Sequence, residues 1–348
     1  MTERPARLIV LPNPLTSPPP AVSFRTDPLS DVLRAIRLNG AFFYHVEAIH
    51  PWSVQAAPAV ELVPRVLPGA ENLVSYHIVT EGSCWGGLDD TRQFLLQPGD
   101  AIVFPQGDPH FVSSVEGMRL THGSDYGAPD RYLETVRVGS GGGPRVNFVC
   151  GFLGCDLRPF NPLIASLPRV LHVPQPATGW LAEFPRQVVA ESRRERGGGA
   201  TLLTSMAEVM FVEVLRRYME STSAGRTGWL AALKDPIVGP ALGQLHDRPA
   251  YAWSLAELAR AANTSRSVLS ERFSEVMGMP PMQYLAQWRL QLAAEQLSSG
   301  SEKVATVGAR VGYDSEAAFS RAFKRATGLS PASWRRSRSG TPAVGSVA

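Results

Sequence analysis

Residues 254–278 read SLAELARAANTSRSVLSERFSEVMG, and residues 303–328 read KVATVGARVGYDSEAAFSRAFKRATG. Both stretches follow one plan. A short helix carries apolar residues at helical spacing (Leu255, Leu258, Ala259, Ala262; Val304, Val307, Gly308, Val311), and a tight turn follows. A second helix then starts at Ser265 or Ser315, buries a stripe (Val268, Leu269, Phe273, Val276; Ala318, Phe319, Phe323) and stops at Gly278 or Gly328. A proline beyond each glycine, in GMPPMQYL and GLSPASWR, cannot extend that helix. The sequence therefore predicts two helix-turn-helix units joined by one helix, Pro281 to Ser299.

Such a unit leaves the outer face of its second helix polar and free to enter a DNA major groove. Those faces carry Arg266, Ser267, Ser270, Glu271 and Arg272 in the first copy, and Ser315, Glu316, Ala317, Ser320, Arg321, Lys324 and Arg325 in the second. A plain helical bundle would also expose charged positions. It would not by itself repeat the SxxxxSxRF and SxxxFSRxFK strings or both Gly-x-x-Pro exits.

On these residues the chain resembles the AraC/XylS-type bacterial transcription regulators, most closely in VGYDSEAAFSRAFKRATGLSPASWR. The resemblance covers residues 235–338. It implies base contacts from Ser267, Ser270 and Glu271 and from Glu316, Ala317, Ser320 and Arg321, with Arg266, Arg272, Lys324 and Arg325 at phosphates. The partners it implies are double-stranded DNA, RNA polymerase, a small-molecule effector and a second copy of the chain. Glu271 stands where the family more often has a long basic or amide residue.

Composition agrees with a regulator of this kind. At 348 residues and 44% hydrophobic content the chain can bury two or three cores. From residue 236 onward 13 Lys and Arg face 8 Asp and Glu, a net of +5, whereas the preceding part is near −2. A basic third behind a near-neutral body suits a phosphate-binding module attached to something else. No run has the length of a membrane span, no secretory signal opens the chain, and three cysteines are too few for a disulfide framework, so a cytoplasmic location is expected.

The expected organisation is a proline-rich arm at 1–26, a sensor domain at 27–173, a helical segment for dimerisation and linkage at 174–225, the DNA-binding domain at 226–338 and a flexible tail at 339–348. After one amphipathic helix capped by Asp27, residues 41–171 break into short apolar or alternating runs between Gly, Pro and Asp, the pattern of a sandwich or barrel. Within it GDAIVFPQGDPH, residues 99–110, resembles the second cupin motif through Gly99, Pro105, Gly107 and His110. The expected fold class is thus α+β and multidomain, a cupin-like β-barrel with accessory helices followed by an all-α double helix-turn-helix domain. The wide apolar coverage of 201–219 predicts a helix that buries more than one side, and family precedent makes it the dimer contact.

Enzymatic cupins hold a metal with an H-x-H pair and a Glu from a first motif. That motif is absent, because Ser75 falls where the Glu would stand. A dioxygenase-like metalloenzyme with a DNA-binding tail is therefore the alternative to a regulator, and no catalytic residue is assigned. His77, two residues after Ser75, shares its inward face, so His77 and His110 are candidates to line an effector pocket. Cys150 and Cys155 in VCGFLGCD, with His110 and either His77 or Cys84, are candidates for a structural zinc site. The competing readings are that these cysteines pack as small buried hydrophobes or sense redox change.

Overall fold

The computed structural model describes residues 27–339 except 37, 90, 119–134, 158, 175–179, 193–196 and 222–226. The expected arm at 1–26 lies outside the described residues, as does the expected tail apart from Ser339. Helix α1 (Pro28–Ala35) is capped as its sequence predicts, with the Asp27 carboxylate accepting from the Ser30 N–H at 3.0 Å. Ten strands follow: β1 (Asn39–Ile49), β2 (Ser53–Ala56), β3 (Asn72–Glu81), β4 (Cys84–Gly87), β5 (Phe94–Leu96), β6 (Ala101–Phe104), β7 (His110–Ser113), β8 (Thr135–Val138), β9 (Arg145–Cys155) and β10 (Leu171–Val173). Two helices interrupt them, α2 (Ala59–Val66) and α3 (Pro162–Ser166).

The strands form a six-stranded sheet in the order β10-β6-β3-β9-β1-β8 and a four-stranded sheet in the order β2-β7-β4-β5. Alternation along each strand sorts side chains to two faces. Residues Tyr44, Val46 and Ala48 of β1, Phe148, Cys150 and Phe152 of β9, and Val112 of β7 meet in one core enclosed between the sheets. Phe43, Val74, Tyr76, Ile78 and Val149 point to the other face of the large sheet.

That outer face is covered by α4 (Trp180–Ser192) and α5 (Gly199–Ser221). Phe184 and Val188 of α4 and Leu203, Ala207, Met210, Phe211, Val214 and Leu215 of α5 are buried on it. Each of the larger side chains adds about 1.5–3 kcal/mol of burial. The helical segment is therefore packed onto the sheet as part of the same body.

Eight helices complete the chain: α6 (Trp229–Ala232), α7 (Val238–Asp247), α8 (Leu255–Ala261), α9 (Arg266–Met277), α10 (Pro281–Ser299), α11 (Val304–Arg310), α12 (Glu316–Thr327) and α13 (Pro331–Ser339). The apolar core beneath α4 and α5 continues through α1 into α7, α9 and α10, so the N-terminal domain and the first helix-turn-helix share buried surface. The second motif keeps a separate core built from Leu297, Val307, Phe319, Phe323 and Trp334.

Candidate nucleic-acid interface

Each expected recognition helix is fixed by local chemistry. Ser265 and Ser315 cap α9 and α12, accepting from the N–H groups of Val268 at 3.3 Å and Ala318 at 3.2 Å. Gly278 and Gly328 end the helices in the left-handed region at φ 71° and 78°, where a side chain would be strained. α8 opens with a reciprocal capping box between Ser254 and Glu257. Leu269, Phe273 and Val276 face inward on α9, and Phe319 and Phe323 on α12.

One exception corrects the expected stripe. Val268 is 43% exposed and lies on the outer side of α9. Of the expected contact residues, Arg266, Ser267, Glu271, Ser315, Glu316, Ala317, Arg321, Lys324 and Arg325 are exposed, and Ser270, Ser320 and Arg272 are half-buried. The two faces differ in charge. α12 presents Arg321, Lys324 and Arg325 against Glu316, whereas α9 balances Arg266 and Arg272 with Glu271 and Glu275.

The residue that holds the two motifs in one relation was not singled out from sequence. Arg289, in the middle of α10, donates to the carbonyl oxygens of Pro249 at 2.7 Å, Tyr251 at 2.8 Å and Gly312 at 3.0 Å. Its guanidinium thereby ties the loop before α8 to the turn between α11 and α12. Burial lowers its pKa from the usual arginine value. No local pattern announces such a role, since its partners lie 23 to 40 residues away.

In the N-terminal domain, His77 and His110 do face each other inside the core, with Nε2 atoms 2.8 Å apart. Hydrogen positions follow from the neighbours. The His110 Nδ1–H donates to the Asp108 carbonyl at 2.8 Å, so His110 Nε2 accepts from the His77 Nε2–H. His77 Nδ1 then accepts from the Cys150 thiol at 2.9 Å. The free space beside these groups is about 10 Å³, room for about one water. His77 and His110 do both line this cavity, which is too small to take an effector as it stands. A larger groove of about 340 Å³ lies on the outer face of the large sheet, bordered by His45, Glu47, Thr80, Glu81 and Asn147 and by Val189 of α4.

The expected zinc set does not assemble either. Cys150 and Cys155 are five positions apart on β9, so they point to opposite faces; Cys155 lies near the Asn72 amide at 3.8 Å, away from His110. His77 meets Cys150 and His110 through opposite edges of its ring, so one ion cannot take both partners together with His77. Among the described residues no three His, Cys, Asp or Glu side chains are grouped to hold a metal ion. Burial pushes the Cys84 and Cys155 thiols up to about 12 and raises that of Cys150 too, which disfavours the reactive thiolate and suits core packing.

Comparison with known proteins agrees with this division of the chain. A family model described as cupin matches residues 27–220, and one described as a helix-turn-helix domain matches residues 258–337. An AraC-like transcription regulator of Streptomyces antibioticus is 33% identical over 89% of this chain and 98% of its own length. A second, from Streptomyces lividans, is 31% identical over 89% of this chain and 98% of its own length. Among solved structures, the DNA-binding domain of AdpA in complex with a target DNA is 27% identical and covers 32% of this chain and 100% of its own, at a TM-score of 0.30. With a cupin domain, two capped helices whose outer faces are exposed and relatives matched over nearly their whole length, the chain belongs to the AraC-like, DNA-binding transcription regulators.

Proposed function

We propose that one chain lays α9 and α12 into successive major grooves on one face of an asymmetric DNA site, and that the cupin domain governs this binding in response to a small effector. The observation that supports the reading best is the exposed basic face of α12, where Arg321, Lys324 and Arg325 stand clear of the protein. Base readout falls to Ser267, Ser270 and Glu271 and to Glu316, Ala317, Ser320 and Arg321, and phosphate contact to Arg266, Lys324 and Arg325. The bound regulator then acts in the cytoplasm by contacting RNA polymerase. The outer groove has the volume of a small-molecule site, and its position beneath α4 gives an effector a route to the helices.

The test is selection of duplexes from a randomised library by the full chain, followed by titration on the recovered site. Arg321→Ala is expected to cost about 1–3 kcal/mol and relax preference at one or two base pairs. Lys324→Ala is expected to weaken all sequences alike and flatten the salt slope by about one unit. Unchanged binding in both variants at fixed salt would refute the assignment of α12.

We further propose that two chains pair through α5. Its outward side carries Leu202 and Val209, 48% and 50% exposed, two helical turns apart. Pairing would cover the apolar stripe left open by the sheet-facing side and link two DNA-binding domains for avidity. A Leu202→Glu, Val209→Glu double variant is expected to be monomeric by light scattering at micromolar concentration, with the parent chain dimeric. A monomeric parent would count against this surface.

A further inference from the structure

α9 is held by an ion-pair clamp that α12 lacks. The Arg272 guanidinium reaches back across the first motif to Asp235, with Nε and Nη2 each 2.8 Å from Oδ2, while Nη1 lies 2.7 Å from Glu275 Oε2. All three nitrogens of the side chain therefore have carboxylate partners. Asp235 is itself anchored: its Oδ1 accepts from the N–H groups of Ile237 and Val238, both at 2.9 Å, capping the start of α7. The carboxylate is buried. Although burial alone would raise its pKa, the Val238 and Ile237 N–H groups and Arg272 hold it below the usual carboxylate value. At the far end of α9 the Gly228 N–H donates to the Val276 carbonyl at 2.8 Å, a second tie to the segment that precedes α6.

The second motif has nothing equivalent. Counting from the serine caps, the position of Arg272 is Ala322, that of Glu275 is Arg325 and that of Glu271 is Arg321. Where α9 turns Arg272 onto its own domain, α12 leaves Arg321, Lys324 and Arg325 exposed.

We propose that Arg272 is a positioning residue that sets the pitch of α9 against the α6–α7 turn, so that the first motif selects bases through Ser267 and Glu271 while phosphate attraction comes chiefly from α12. The proposal rests on the assignment of α9 and α12 as recognition helices, and it replaces the expectation that Arg272 contacts a phosphate. A planar guanidinium bridging two carboxylates fixes an angle that a single ammonium cannot. With its guanidinium paired to two carboxylates of its own chain, Arg272 has little left to displace counterions from DNA. Glu271, the neighbouring acid, can accept from a cytosine N4 amine only if the helix axis keeps it at the base edge and away from the backbone.

The test uses the full chain, the duplex recovered by selection with the parent protein, and titrations across a salt series. Arg272→Lys keeps the charge but cannot bridge both carboxylates, and Asp235→Asn keeps an oxygen to cap α7 while removing the ion pair. Arg272→Lys, Arg272→Ala and Asp235→Asn are each expected to weaken binding about tenfold, with the salt slope unchanged and base preference flattened only under α9. Lys324→Ala serves as the phosphate reference, with its slope reduced by about one. Combining Arg272→Ala with Asp235→Asn is expected to be no worse than either alone, as for two ends of one interaction. If Arg272→Lys bound as the parent does, while Arg272→Ala lost about one unit of slope and Asp235→Asn had no effect, Arg272 would be a phosphate contact and the proposal would be overturned by itself. A parent chain that enriched no sequence would overturn it together with the assignment of the recognition helices.

Discussion

Lowering the pH from 7.5 to 4.5 is expected to remove about 2–3 kcal/mol from the stability of this protein through its buried histidines. Burial in the cupin core pulls His110 down to about 4, against a partial restoring effect of the Asp108 carbonyl and carboxylate. Burial and the facing His110 ring lower His77 well below its usual value. His246 is lowered by burial too, opposed by Asp31 and Asp27. The unfolded chain takes up these protons near pH 6.5. The folded chain refuses them until the lower value, so the stability present above pH 6.5 is lost as pH falls toward 4. For His110 alone the 2.5-unit depression from 6.5 to about 4 corresponds to about 3 kcal/mol at full effect, and the other two act in the same direction. Denaturant titrations at intervals of half a pH unit should therefore show a midpoint that declines steadily below pH 6.5. His110→Gln should flatten that decline. A midpoint constant from pH 7.5 to 5 would mean that the histidines are already charged or exposed.

The same histidines show what the sequence could and could not convey. Strand alternation put Ser75 and His77 on one inward face, and both are buried between the sheets. The caps at Ser265 and Ser315 and the exits at Gly278 and Gly328 were equally legible, because each depends on residues within one helical turn. The spacing of Cys150 and Cys155 left a zinc site and core packing both open, because it did not show on which faces the two thiols lie. Both belong to one continuous strand, in which Gly151 is required by the Tyr76 ring lying over it; a Cβ there would sit 2.1 Å from that ring. Arg272 shows a different limit, because its partner Asp235 lies 37 residues earlier in the chain. Interactions of that range carry no periodic signal.

A contact of still longer range gives the second large effect: Gln291→Ala is expected to cost about 2–4 kcal/mol and to separate the unfolding of the two domains. Gln291 lies on α10, the helix that joins the two motifs, and is 2% exposed. Its amide nitrogen donates to the Ala35 carbonyl at the end of α1, at 2.8 Å, and its amide oxygen accepts from the Phe160 N–H at 3.0 Å. Truncation leaves both backbone groups buried without a partner, each worth about 1–3 kcal/mol. The loss falls at the junction itself. The nearby ties include His246 to Asp31 at 3.4 Å and Arg338 to Glu71 and Asp156, and none of them reaches the Ala35 carbonyl or the Phe160 N–H. With Gln291 gone, α1 and α10 keep only their apolar contact, which weakens the link between the cupin domain and the helix that joins the two motifs. Two resolved transitions in denaturant, against one in the parent, together with unaltered affinity of the variant for the selected duplex, is the expected result. A single transition at the parental midpoint would show that the remaining contacts carry the junction without it.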